Sequence, residues 1–332
     1  MHEPAFWHRP SSLTSRLLLP FSALYGAIAA RRMARPGADA GVPVICVGNY
    51  HTGGAGKTPT VLALVKLLRD MGETPFVLSR GYGGSLPGPL RVDAARHTAA
   101  EVGDEPLMMA AHAPVVIARD RVAGAQLARG EGASVIVMDD GFQNPALRKD
   151  MSLIVVNAAR GLGNTQVFPA GPLRAPLAPQ LVRTDALLVI GEGDAVSDLK
   201  RTLAARSVPV FHAHVTPDAE AVAALRGQRV LAFAGIGDPG RFFDTLRAHG
   251  IAVAAERTFP DHHRFTKDEV WALRAEATRD GLALVTTEKD FARLSGGDVA
   301  SRADGITPLP VSLQFDDEAR LRELIVAKLR GA

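Results

Sequence analysis

The chain has 332 residues, 47 % apolar and 22 % charged, close to the soluble average of about 45–50 % and about 25 %, which excludes a disordered chain and a polytopic membrane protein. Cys46 is the one cysteine, so an intramolecular disulfide and a cysteine-built zinc site are excluded and a reducing compartment fits. The net charge of +3 is local, because residues 1–36 set five arginines against Glu3 and the remainder carries a small negative excess; no nucleic-acid partner is expected.

The first segment in chain order is Leu17–Ala30 (LLLPFSALYGAIAA), 14 largely apolar residues interrupted by Pro20, against the about 20 that a spanning helix needs. Arg31, Arg32 and Arg35 follow the apolar stretch instead of preceding it, the reverse of an export signal. With Phe6, Trp7, Phe21 and Tyr25 nearby, the composition predicts that residues 1–36 form an apolar, basic helix docking on an anionic cytoplasmic membrane face without crossing it. The alternative is a helix packed on the protein's own core.

From residue 42 short β-branched runs alternate with helical stretches, which predicts an α/β fold around a mostly parallel sheet flanked by helices. The predicted strands are Val42–Val47, Pro75–Leu78, Val115–Ala118, Val135–Met138, Leu153–Val156 and Ala186–Ile190, with helices at Thr58–Met71, Asp104–His112 and Arg119–Arg129. A polar interval at Leu225–Arg229 precedes a second series. Its strands are Val230–Ala234, Ile251–Ala255 and Leu282–Thr286, its helices Pro239–Ala248 and Lys267–Arg279, and a last helix is read at Asp317–Leu329. The expected organisation is a core domain over 37–226 and a smaller α/β domain over 227–332.

The strand at 42–47 leads into GNYHTGGAGKT (48–58) and then a helix, the arrangement of a phosphate-binding loop. Gly53, Gly54, Ala55 and Gly56 let backbone N–H groups face phosphate oxygens, Lys57 supplies a cation, and the Thr58 hydroxyl can ligate Mg²⁺. The usual first glycine is replaced by His51, which Gly53 and Gly54 offset. The strand at 135–138 ends in Asp139 and Asp140, carboxylates placed to hold Mg²⁺ or its waters. A GTPase base signature is missing, since Thr287-Glu288-Lys289-Asp290 has its lysine out of place, so ATP is the expected nucleotide.

Asp104 and Glu105 open a helix, Asp104 either as its cap or as a base for an acceptor hydroxyl and Glu105 as a possible metal contact. The loop FPDHHRF (259–265) brings Asp261 and His262, groups able to transfer protons or bind phosphate, and Thr266 with Glu269 forms a capping box behind it. Arg80 and Tyr82 in SRGYGG (79–84) suit a sugar or phosphate, and Arg119 could face phosphates, with Asp120 read as a cap. His97, His112, His212, His214 and His249 show no metal-ligand spacing.

Taken together, GNYHTGGAGKTP (48–59), SRGYGG (79–84), VGDEP (102–106), ARDR (118–121), MDDGFQ (138–143), FPAGPLR (168–174), FAGIGDPGRF (233–242), FPDHHRF (259–265) and TEKD (287–290) resemble the tetraacyldisaccharide 4′-kinases of Gram-negative bacteria. The resemblance implies transfer of the ATP γ-phosphate, with Mg²⁺, to the 4′-hydroxyl of a tetraacylated glucosamine disaccharide 1-phosphate. The product would be lipid IVA, a lipid A precursor, made at the cytoplasmic face of the inner membrane by a peripheral or monotopic enzyme. It implies a P-loop NTPase-like core with a second α/β domain across a cleft. Lys57 and Thr58 would hold phosphates and Mg²⁺, Asp139 and Asp140 would serve the metal, and Asp104 would take the hydroxyl proton, assisted by His262. Two positions depart from the family: Asn144 stands where His is frequent, and Ala175 where Glu is frequent. The competing reading is a membrane-associated P-loop ATPase switch or metallochaperone.

Overall fold

The structure, a computed structural model, describes residues 4–9, 12–294 and 304–330. Residues 1–3 and 10–11 of the predicted N-terminal segment, and 295–303 and 331–332 of the predicted second domain, lie outside the described residues. After a 3-10 turn at Ala5–His8 come α1 (Leu13–Met33), β1 (Val44–Gly48), α2 (Lys57–Asp70), β2 (Pro75–Ser79) and β3 (Leu90–Arg91). Next are α3 (Ala99–Val102), α4 (Asp104–Ala110), β4 (Val115–Ile117), α5 (Arg121–Gly130), β5 (Val135–Asp139) and β6 (Met151–Asn157). Then follow α6 (Leu177–Val182), β7 (Ala186–Ile190), α7 (Ser197–Ala204), β8 (Val210–Pro217), α8 (Ala219–Leu225) and β9 (Arg229–Ala234). The chain continues through α9 (Pro239–Ala248), β10 (Ala252–Thr258), α10 (Lys267–Asp280), β11 (Ala283–Thr287) and α11 (Glu288–Leu294). It ends with β12 (Ile306–Leu309), β13 (Val311–Phe315) and α12 (Glu318–Arg330).

Two sheets organise these elements. The larger has the order β13-β8-β7-β6-β1-β5-β2-β4-β3 and is parallel except for its two edge strands, β13 and β3. Its central strands are buried along their whole length, which is why they read as continuous apolar runs and not as alternating ones. Ile45 and Val47 pack on one face with Leu64 and Leu68 of α2. Cys46, Ile136 and Met138 pack on the other with Ala125 and Ala128 of α5. The smaller sheet is all parallel, β10-β9-β11-β12. Phe242, Phe243 and Leu246 of α9 cover one face, and Val270 and Leu273 of α10 the other.

The structure departs from the expected boundary between the domains. Val222 and Leu225 of α8 already belong to the smaller core, whereas β13 pairs antiparallel with β8 and Leu321 and Ile325 of α12 join the larger one. The second unit is therefore an excursion between β8 and β13, not a C-terminal domain running to the end. Its entry and exit lie side by side, with the Asp218 N–H donating to the Pro310 carbonyl at 2.8 Å. Periodicity missed this because β13 is a half-exposed edge strand without a continuous apolar run.

The N-terminal helix also departs from the reading. Pro20 lies inside a continuous α1 of 21 residues, about 31 Å at 1.5 Å per residue. It is the one described helix long and apolar enough to cross a membrane, so length does not exclude spanning as the sequence reading held. Its outward and inward faces are reversed relative to a core helix. Ser15, Ser22, Gly26 and Met33 are buried, while Leu13, Leu17, Phe21, Leu24 and Ile28 are exposed. Ser15 Oγ donates to the Ala170 carbonyl and Ser22 Oγ accepts from the Ala170 N–H, each at 2.9 Å.

Candidate active site

The loop between β1 and α2 owes its shape to two glycines in the left-handed region, Gly53 at φ 106° and Gly56 at φ 92°, which side chains disfavour. A Cβ on Gly56 would also lie 2.6 Å from Ile190 Cδ1. His51 is buried and bridges Leu173, and the Thr52 N–H donates to the Pro172 carbonyl at 2.9 Å. The irregular first position is thus sewn to the 166–173 segment, and the turn begins two residues later. Gly53 and Gly54 are exposed, Ala55 is buried, and Lys57 and Thr58 open α2 half-buried. The positive end of α2, whose first-turn N–H groups have no partner within the helix, lies there, which favours an anion.

Beside the loop, β1 pairs with β5 so that Val47 faces Asp139. Asp139 Oδ2 accepts from Ser79 Oγ at 3.1 Å, and its buried Oδ1 has no hydrogen-bond partner among the described residues. Burial, then the charges of Glu105 and Asp140, push the Asp139 carboxyl up to about 7. Asp140 behaves in the opposite way. Burial works against its charge, but Lys57 at 3.7 Å and the Arg174 guanidinium hold it at about 2. No group of three His, Cys, Asp or Glu that could hold a metal occurs among the described residues. Mg²⁺ needs no such cage, since it takes one or two carboxylates, substrate phosphates and water. The orphaned Asp139 oxygen beside the phosphate loop fits that requirement.

In the same unit as the phosphate loop, Asp104 is buried at the start of α4, and its hydrogen bonds go to the second unit instead of capping its own helix. Asp104 Oδ2 accepts from His262 Nδ1 at 3.0 Å and from Arg293 Nε at 2.8 Å. Arg293 is fixed in turn by Asp290 and by the Gly235 carbonyl. Burial opposes ionisation of Asp104, but the His262 hydrogen bond and the charges of Lys289 and Arg293 outweigh it, holding the carboxyl well below the ordinary carboxylate range. Glu105 accepts from Lys289 at 3.0 Å, so it is committed to an ion pair while its field reaches Asp139. Of the paired histidines, His263 contacts Glu269 of the capping box and only His262 enters the cleft.

The remaining residues are less integrated. Tyr82 is exposed, with its ring 5.9 Å from that of His262, and Asp261 Oδ2 lies 3.8 Å from His262 Nε2. Arg80 is exposed, and Arg119 donates to the Ser85 carbonyl at 3.4 Å. Asp120 is the cap of α5, as read. The buried arginine of that motif is Arg121, whose charge interacts with Asp139 and Asp140. Ala175 is buried and gives its carbonyl to Gln180, while its neighbour Arg174 reaches Asp140. The Asn144 carbonyl accepts from Lys149, and its side-chain oxygen accepts from the Ala146 N–H.

A family profile described as Tetraacyldisaccharide-1-P 4′-kinase matches residues 14–330. The chain belongs to the tetraacyldisaccharide 4′-kinase family. A tetraacyldisaccharide 4′-kinase of Nitrobacter winogradskyi is 63 % identical over 334 residues, 99 % of each chain. One of Bradyrhizobium diazoefficiens is 65 % identical over 325 residues, 98 % of this chain and 96 % of that protein. Among solved structures, LpxK from Aquifex aeolicus in complex with ATP matches with a TM-score of 0.73 and 29 % identity, covering 96 % of this chain and 100 % of that one. In this member of the tetraacyldisaccharide 4′-kinase family, sequence reasoning missed Lys289, Asp290, Arg293 and Arg174. The signal available for the first three was charge of both signs at positions i, i+1 and i+4 immediately after a strand, which puts them on one face of a short helix.

Proposed function

We propose that this kinase phosphorylates the 4′-hydroxyl of a tetraacyldisaccharide 1-phosphate at the membrane surface, with Asp104 as the group that receives the hydroxyl proton. The chain is an ATP-dependent, Mg²⁺-using kinase of lipid A biosynthesis. The observation that carries the residue assignment is the Asp104–His262 contact, which joins the two units across the cleft. The protein's hydrogen bonds fall on Asp104 Oδ2, leaving Oδ1 for the acceptor. An ionised carboxylate held by His262 and Arg293 orients the hydroxyl and accepts its proton late, as suits a loose phosphoryl-transfer transition state. Lys57 and the amides of 53–58 hold the outer phosphates. Thr58 and Asp139 would hold Mg²⁺, which neutralises charge on the transferring group; Asp140 orients Lys57, and Glu105 supplies a further negative field. Arg80, Tyr82, Arg119 and Asp261 rim the acceptor side.

The outward apolar face of α1 and its terminal arginines support docking on a bilayer. One side of the helix is bound to the protein, so lipid cannot surround it, and a monotopic seat on the anionic cytoplasmic face of the inner membrane accounts for both features. Incubation with γ-labelled ATP and the lipid acceptor tests the activity. Lipid-borne label is expected, and Lys57→Ala abolishes it; label released only as free phosphate would indicate a switch ATPase instead.

A further inference from the structure

A cleft of about 260 Å³ lies between the end of α1, the 144–149 loop and the end of α6. Arg35, Arg148, Lys149 and Arg183 line it. Only Arg148 is neutralised, by Asp39 and Asp150 at 3.3 and 3.4 Å. The Asp185 carboxylate in the wall is taken by Lys328 and by the Ser152 N–H. Lys149 meets carbonyls alone, those of Asn144 and Leu147, and Arg183 donates to the Pro179 carbonyl at 3.0 Å. Arg35, Lys149 and Arg183 have no carboxylate partner among the described residues. Burial and the Arg183 charge together make the Lys149 ammonium easier to deprotonate. Arg35 is exposed, but Lys149 and Arg183 are half-buried, and carbonyl partners satisfy their hydrogen bonds without cancelling their charge, which makes the cleft a favourable seat for an anion.

The position of the cleft selects the anion. Its wall is built by Met33 and Arg35 at the end of the helix whose outer face is apolar, and Val182 on its rim is 64 % exposed. None of the residues lining it belongs to the 53–58 loop, the Asp139–Asp140 pair or the Asp104–His262 contact, so it is a separate pocket on the larger unit. We propose that this cleft binds the headgroup phosphate of an anionic phospholipid and fixes the enzyme's depth and rotation on the bilayer. The proposal rests on the membrane seat of α1.

The test is flotation of the full chain with phosphatidylcholine vesicles and with vesicles that also contain phosphatidylglycerol. Wild type is expected to bind both, and the anionic ones at least about tenfold more strongly, since each cation near such a surface contributes about fivefold. Arg35→Gln/Arg183→Gln keeps the phosphatidylcholine binding and loses most of the anionic gain, whereas Arg31→Gln/Arg32→Gln, which removes the same charge outside the cleft, loses less. Equal losses in the two variants, or an unchanged ratio in the first, would overturn the cleft. Failure of wild type to bind either vesicle would overturn the membrane seat itself. Lys149 acetylation read by mass spectrometry separates the phosphate sources: protection by phosphatidylglycerol vesicles is expected, and equal protection by inorganic phosphate alone would overturn the lipid assignment.

Discussion

Asp139 and Asp140 are neighbours in the chain, yet their surroundings drive them apart. One carboxyl is raised by burial among like charges, and the other is held down by Lys57 and Arg174. A carboxyl raised to about 7 binds a proton in the folded chain that the unfolded chain releases near pH 4, so metal-free stability falls as pH rises through that window. Asp139→Asn is expected to raise the melting temperature of the metal-free protein at pH 8 while removing activity, and added Mg²⁺ should stabilise wild type but not the variant. With Asp104 proposed as the proton acceptor, Arg293 would act on the reaction through its hydrogen bond to that carboxylate. Its loss leaves burial opposing the charge with less compensation, so the Asp104 carboxyl rises. Arg293→Ala should therefore move the acid limb of the kcat profile to higher pH, and Arg293→Lys should restore part of it; a residue that only supports the fold would lower activity without moving that limb.

At the scale of elements, the 164–176 segment links the apolar helix to the phosphate loop. Its Ala170 is held by Ser15 and Ser22 of α1, while Pro172 and Leu173 bond to Thr52 and His51, and Arg174 reaches Asp140. Ser22→Ala leaves the buried Ala170 N–H without its acceptor, a cost of about 1–3 kcal/mol. A melting temperature lower by a few degrees is expected, with a reduced kcat on detergent-dispersed acceptor, because the loop loses its brace without any change in membrane charge. Such links were not legible in the sequence. The central strands could be read because burial on both faces leaves uninterrupted apolar runs, and the phosphate loop because glycine, lysine and threonine chemistry is local. The excursion between β8 and β13 could not, since pairing of residues near 217 with those near 311 leaves no local trace. Pro20 misled for a related reason: as the eighth residue of a 21-residue helix it removes a single hydrogen bond, and the lost bond does not end the helix.

Across the whole molecule, one unit supplies the phosphate loop and the carboxylates, and the other supplies His262, Lys289 and Arg293. The two meet on Asp104 and Glu105 and are joined by paired crossings at Asp218 and Pro310. On the proposed assignment the acceptor enters where the units touch, with its sugar hydroxyl brought to Asp104 while its acyl chains stay at the apolar helix. Single-turnover transfer from γ-labelled ATP to the tetraacyldisaccharide 1-phosphate, measured for wild type and Asp104→Ala with nucleotide binding monitored in parallel, tests this most directly. The expected result is label at the 4′ position with wild type, and a rate at least about 10²-fold lower in the variant with ATP affinity retained. Transfer by Asp104→Ala at a rate near wild type would contradict the account.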